Sequence, residues 1–347
     1  MGVKEELIET ARAMVAPGKG ILAADESSGT IKRRFDAIGV ESTEDNRRDY
    51  REMLFRTAGA NEFISGVILY DETLRQKGAD GTPLVDVLRS QNLIPGIKVD
   101  AGTVGLPFAE NELVTQGLDG LRERFAEYKT LGARFSKWRA VITIGDGIPS
   151  TYCIQANAHA LARYAALSQE AGIVPMVEPE VLLDGSHSIE RCHEVSVLTL
   201  RTLFRELAKQ RVMLEGLILK TNMVLSGNQA SNRAPASEVA RLTVDCFKQS
   251  VPASVPGIVF LSGGMPDEEA TINLDAVSRE AQKVGGTPWE LSFSYGRGLQ
   301  GAPQKAWSGK TENVTAAQAA YYHRAKVTAA ARKGSYTPEM EKELATA

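Results

Sequence analysis

The segment EGLILKTNMV (215 to 224) decides the fold: it is a short, apolar, β-prone run in which a lysine, Lys220, stands late in the strand pattern, between stretches patterned as amphipathic helices. Runs of the same kind recur along the chain: GILAAD (20 to 25), FISGVILY (63 to 70), GIKVD (96 to 100), ARFSKWRAVI (133 to 142), VPMVEPEVL (174 to 182), GIVFLSGG (257 to 264) and WELSFSYG (289 to 296). Apolar strands alternating with helical segments are the signature of parallel βαβ units, and eight of them predict a closed barrel rather than an open sheet. The expected class is α/β, a (β/α)8 TIM barrel with extra terminal helices. Residues 1–347 are read as one domain, with a last helix over 313 to 333 and residues 334–347 as a short, polar, mobile tail. Thr82 before Pro83, and a capping box of Thr315 with Gln318, are read as helix starts.

Composition narrows the function classes. The chain has 347 residues, 43% hydrophobic and 24% charged, which suits an ordinary globular core and excludes disordered and fibrous classes. A net charge of −3, with Lys and Arg scattered, offers no footprint for nucleic acid. No apolar run approaches the ~20 residues of a membrane helix, and the first residues, MGVKEELIETARAMV, read as an acidic amphipathic helix rather than a signal peptide. Cys153, Cys192 and Cys246 are few and irregularly spaced, so neither a disulfide framework nor a CxxC metal site is expected, and the chain suits a reducing compartment.

In a (β/α)8 barrel the reacting groups sit at the C-terminal ends of the strands. Here nearly every strand carries charge or glycine at that end: Asp25 and Glu26, Lys98 and Asp100, Lys137 and Arg139, Glu178 and Glu180, Lys220, Ser262 with Gly263 and Gly264, and Ser294 with Gly296 and Arg297. Side chains alternate along a strand, so Lys137 shares a face with Arg139, and Glu178 with Glu180. Taken singly, any of these could be a solvated ion pair at a barrel rim. Together they predict a common polar cavity, because apolar strands are poor places for unpaired ions.

A cavity holding lysines, an arginine and several carboxylates suits imine chemistry. A lysine attacks a ketone only as the free amine, which desolvation and neighbouring cations favour, and Lys220 has Lys137 and Arg139 available for that. A nearby carboxylate, Glu178 or Glu180, would serve as general acid and base. Cleavage of the adjacent C–C bond then requires a further base, for which Asp25 is the candidate. The LSGG turn offers backbone N–H groups to an anion, and Arg297 a bidentate charged contact, at the place where barrels commonly hold phosphate.

These segments, in this order, resemble class I fructose-bisphosphate aldolases from about residue 5 to about residue 338. The resemblance rests on GILAADES (20 to 27), GIKVD, FSKWR, VEPE, LILKTNMV, FLSGG and FSYGR. It implies reversible cleavage of fructose 1,6-bisphosphate to dihydroxyacetone phosphate and glyceraldehyde 3-phosphate, without metal or other cofactor. It implies Lys220 as the Schiff-base lysine, Glu178 as the acid/base glutamate and Asp25 as the aspartate of C–C cleavage. Glu180, Lys137 and Arg139 match groups that orient the lysine and the substrate hydroxyls. Lys98, Ser27 and Arg297 match contacts to the phosphate ends, and Ser262, Gly263 and Gly264 the loop for one phosphate. It further implies sugar phosphates as the small-molecule partners, a homotetramer and a cytoplasmic location, with an organelle reached through a removed transit peptide left open. Two departures stand out. Thr221 follows the lysine where the family usually has Pro, and the chain ends Ala345, Thr346, Ala347 rather than in the family's terminal tyrosine, so slow proton exchange on the enamine is expected. Tyr336 matches an earlier tyrosine.

Three other readings find less support in the sequence. A zinc-dependent aldolase would need clustered histidines, but His159, His187, His193 and His323 fall in helical or loop segments, and a six-residue spacing leaves His187 and His193 on different helical faces. A transaldolase-like or keto-acid aldolase would need a phosphate site on only one side of the cavity. A binding scaffold would need a distinctive surface, and charge runs such as EDNRRDYRE (44 to 52) read as solvated helix faces. Trp138, between Lys137 and Arg139, is expected to point outward into the barrel–helix interface.

Overall fold

The structure, a computed structural model, describes residues 2–346. Eight strands close a barrel: β1 (Gly20–Ala24), β2 (Ile64–Leu69), β3 (Ile94–Lys98), β4 (Phe135–Ile142), β5 (Val174–Val181), β6 (Ile218–Thr221), β7 (Gly257–Phe260) and β8 (Glu290–Tyr295). Each pairs in parallel with its neighbours in chain order, and β8 closes on β1. Seven of the eight predicted runs contain one of these strands, and GIKVD (96 to 100) overlaps β3, which starts two residues earlier at Ile94. The helices that bear on the site are α1 (Val3–Met14), α2 (Ser28–Asp36), α3 (Thr151–Glu170), α4 (Ile189–Lys209), α5 (Arg297–Trp307) and α6 (Val314–Arg332). Among the described residues, no helix is long and apolar enough to cross a membrane.

Alternation along the strands divides the apolar residues into two bodies. One lies between barrel and helices; there Trp138 is fully buried and stacks on Tyr164 of α3 with ring centroids 5.5 Å apart, the outward orientation read from the sequence. The other fills the lower barrel, where Ile21, Ala23, Ile68, Phe135, Val174, Met176, Ile218 and Val259 pack against Leu7, Ala11, Met14 and Val15. α1 is therefore a plug for the N-terminal end of the barrel. Phe135 fits inside only because its neighbour is glycine: a Cβ on Gly96 would lie 2.2 Å from the Phe135 ring.

Several local expectations need correction. The helix after Pro83 is Leu84–Ser90, with Pro83 at the N-cap rather than the first helical position, because Thr82 is held in a turn by accepting the Gly78 N–H at 2.8 Å. Asn313 holds the N-cap position of α6 without a side-chain cap, so Thr315 is already inside the helix, and the Gln318 amide donates to the Met53 carbonyl at 3.0 Å instead of closing a box. A helix, α5, precedes the one expected after the eighth strand. A two-stranded antiparallel hairpin (Thr103–Gly105 with Leu113–Thr115) also went unforeseen. The tail, expected to be mobile, is docked at its start: Tyr336 is buried, its N–H donates to Asp275 at 2.9 Å, and Glu341 pairs with Arg324 at 2.6 Å. Ala347, at the end of that tail, lies outside the described residues.

Candidate active site

At the C-terminal end of the barrel the inward stripes of β1, β4, β5 and β6 change from apolar to charged. Ile21 and Ala23 of β1 lead to Asp25; Phe135 of β4 leads to Lys137 and Arg139; Val174 and Met176 of β5 lead to Glu178 and Glu180; Ile218 of β6 leads to Lys220. The strand register sets Lys98 beside Lys137 and Arg139 beside Glu178. Side chains from four strands thus reach one level of the barrel.

They form a continuous chain of ionic contacts. Lys220 Nζ lies 3.0 Å from Glu178 Oε1, Lys137 Nζ lies 3.3 Å from Glu178 Oε2, and Lys137 Nζ lies 2.7 Å from Asp25 Oδ2. Lys220, Glu178 and Lys137 are each no more than 4% exposed. The quartet is internally neutral, two ammonium groups against two carboxylates, which makes its burial tolerable. Glu178 Oε2 makes no directed hydrogen bond, so it remains able to accept one from a bound hydroxyl.

Charge decides the protonation of the two carboxylates. Burial pushes Asp25 upward, but Lys137 and Lys220 outweigh it and hold its carboxyl down at about 2. Burial likewise raises Glu178, and Lys137, Lys220 and Arg139 together bring it below the ordinary carboxylate range. For Lys137, burial favours the neutral form while Asp25 and Glu178 reverse that and keep the ammonium. Both carboxylates are ionised at neutral pH, as proton acceptors must be.

Around this centre stand second contacts. Glu180 Oε2 accepts from the half-exposed Arg139 guanidinium at 2.5 Å. Lys98 pairs with Asp100 at 2.7 Å and donates to the Asp100 carbonyl at 2.9 Å, while Asp100 accepts the Arg139 N–H at 3.2 Å. Ser27 is the N-cap residue of α2, its hydroxyl 3.2 Å from that of Thr30.

Across the mouth, the turn after β7 meets the start of α5. Ser262 Oγ accepts the Gly298 N–H at 3.2 Å, and Gly264 has a φ of +82°, where a Cβ would lie 2.9 Å from Leu183. Arg297, the first residue of α5, is exposed and makes no ion pair among the described residues. The positive end of a helix, a turn with free N–H groups and an unpaired guanidinium together can hold an anion. Sequence reasoning missed Gly298, although the GRG triplet opening a helix was the available signal. It also missed Arg34, which pairs with Glu26 at 2.5 Å beside Asp25.

The other candidates lie elsewhere. His159 contacts Glu206 at 3.2 Å and His193 contacts Asp245 at 2.8 Å, each on a helix surface. Cys153, Cys192 and Cys246 are buried free thiols, raised by burial.

The family model for class I fructose-bisphosphate aldolase matches residues 6–347. A probable class 1 fructose-bisphosphate aldolase of Xanthomonas campestris pv. campestris is 56% identical over 333 residues, 96% of this chain and 98% of that protein. Cytosolic fructose-bisphosphate aldolase 4 of Arabidopsis thaliana is 51% identical over 95% of this chain and 84% of its own length. Among solved structures, fructose-bisphosphate aldolase from Plasmodium falciparum superposes with a TM-score of 0.94 at 48% identity, covering 96% of each chain. With a matching family model along almost its whole length, and a barrel that gathers lysines and carboxylates at one mouth, the chain belongs to the class I fructose-bisphosphate aldolases, metal-independent lyases that work through a lysine Schiff base.

Proposed function

We propose that Lys220 is the nucleophile and that Glu178, Asp25 and Lys137 move and hold the protons around it during cleavage of fructose 1,6-bisphosphate. The contact that carries this reading is Lys220 Nζ to Glu178 Oε1 at 3.0 Å, inside a buried neutral quartet. Proton transfer across that contact frees the amine to attack the ketose carbonyl, giving a carbinolamine. Glu178, now the acid, returns a proton to the departing hydroxyl, so water leaves and an iminium remains. The iminium withdraws electrons from the adjacent C–C bond. Asp25 takes the proton of the hydroxyl on the far carbon, the bond breaks, and glyceraldehyde 3-phosphate departs. The enamine left on Lys220 is protonated at carbon, and hydrolysis releases dihydroxyacetone phosphate. Lys137 and the Arg139–Glu180 pair orient the substrate hydroxyls.

Ser262, Gly263, Gly264 and Arg297 bind one phosphate, and Lys98 and Ser27 meet the other end, so the sugar phosphate spans the cavity. The chain works as one domain, as a homotetramer in the cytoplasm, with no other cofactor. Borohydride reduction in the presence of dihydroxyacetone phosphate tests the nucleophile: the wild type is expected to retain the label on Lys220, and Lys220→Met to retain none. Undiminished labelling of the variant would remove Lys220 from this role.

A further inference from the structure

Asn222 lies two residues beyond Lys220, buried, and takes no part in the chemistry above. Its place is set by a split in the barrel. β4 and β5 stay paired up to Ile142 and Val181, and β6 and β7 up to Thr221 and Phe260. Between β5 and β6, paired residues stop at Val177 and Leu219, one position before Glu178 and Lys220. The two strands that carry the nucleophile and the acid/base glutamate therefore part at the level of the chemistry. Asn222 lines a very small cavity at this level, together with Glu180, Cys192 and Leu261.

Above the split, Asn222 takes over from the backbone ladder. Its Oδ1 accepts the Val181 N–H at 3.0 Å, a buried donor that would otherwise be orphaned on β5. The amide is held from both sides. Thr221 Oγ1 donates to the same Oδ1 at 3.3 Å, while Nδ2 donates to Ser196 Oγ of α4 at 3.3 Å and to the Met223 carbonyl at 3.0 Å. We propose that Asn222 is a positioning residue, a side-chain strut that keeps the Lys220 strand in register with the Glu178 strand where their backbones separate. This deepens, and rests on, the reading of Lys220 as nucleophile. It also gives Thr221 a purpose: its hydroxyl steadies the strut from the position after the lysine.

Proton transfer between Lys220 and Glu178 depends steeply on their separation, and a misplacement of ~1 Å can slow a reaction about a hundredfold. In Asn222→Ala, imine formation with dihydroxyacetone phosphate, followed by rapid-quench borohydride trapping, is expected to slow about 10- to 100-fold, with a shifted pH profile and KM within about threefold of wild type. Asn222→Asp keeps the acceptor and is expected to recover most of that rate; Thr221→Val is expected to lose about threefold. Imine formation in Asn222→Ala at the wild-type rate and with the wild-type pH profile would overturn the proposal, as would a rise in KM alone. Should Asn222→Ala not fold, Thr221→Val decides, and an unchanged trapping rate and pH profile there overturns the strut. Lys220→Met separates the two claims, since trapping that persists in that variant refutes the nucleophile rather than the strut.

Discussion

Replacing Glu178 by glutamine tests the quartet most directly, because it removes one charge and one proton carrier while keeping the shape. The carboxylate is 3% exposed and lies 3.0 Å from Lys220 and 3.3 Å from Lys137. In the wild type two ammonium groups face two carboxylates; in Glu178→Gln they face Asp25 alone, already bound to Lys137 at 2.7 Å. Breaking a buried ion pair from one side costs about 3–5 kcal/mol, so a drop in Tm of several degrees is expected. General acid–base catalysis contributes about 10²–10⁴ in rate, about 3–5 kcal/mol of barrier, and this is the part that glutamine cannot supply. Trapping of the imine with borohydride after single-turnover mixing with dihydroxyacetone phosphate isolates the affected step, and a coupled assay gives kcat for cleavage. The expected outcome is both rates down by about a hundredfold or more with substrate affinity little changed. A folded Glu178→Gln protein that forms the imine within about threefold of the wild-type rate would refute the assignment of Glu178.

Other outcomes follow from the same geometry. Because Asp25 is held at about 2, it is ionised across the working range, so Asp25→Asn should lower the plateau of kcat without moving its acid limb; a displaced limb would contradict this. The same depression, from 3.8 to about 2, makes ionised Asp25 stabilising by about 2 kcal/mol, fully present above the unfolded pKa and lost as pH falls through the folded one. Urea titrations of wild type and Asp25→Asn between pH 5 and 2 should therefore converge as the pH falls. Arg297→Ala should raise KM for fructose 1,6-bisphosphate about 10- to 100-fold, the value of one charge-assisted contact, while leaving imine formation at saturating substrate within about threefold; measuring both parameters checks the split.

Much of this molecule was legible because its period is simple. The eight strands announce themselves as apolar runs, and period-two alternation assigns Lys137 and Arg139 to one face and Trp138 to the other, as the structure has them. Helix starts were less legible, since capping depends on the turn that leads in: the 3-10 turn Thr311–Asn313 moved the cap of α6 away from Thr315. The hairpin at 103–105 and 113–115 escaped because three-residue strands show no period. Asn222 was invisible as a strut for a deeper reason. Its value comes from where the ladder between β5 and β6 stops, a property of barrel closure that neither segment carries alone.

The charge arrangement of the mouth explains how a barrel can place so many ions on apolar strands. Lys220 and the cations around it each have a carboxylate: Lys137 has Asp25, Lys220 has Glu178, Arg139 has Glu180, and Lys98 has Asp100. Beneath them α1 closes the barrel with an apolar plug. Such pairing keeps the resting site neutral and stable, but it also means that the interior holds no surplus positive charge for a doubly phosphorylated sugar. That surplus sits at the rim instead, on exposed Arg297 at the start of α5 and on the N–H groups of the turn beside it. The division has a mechanistic consequence: the phosphate that meets Arg297 can be neutralised at the rim without displacing the ion pairs around Lys220, so the binding of that phosphate and proton transfer draw on different groups.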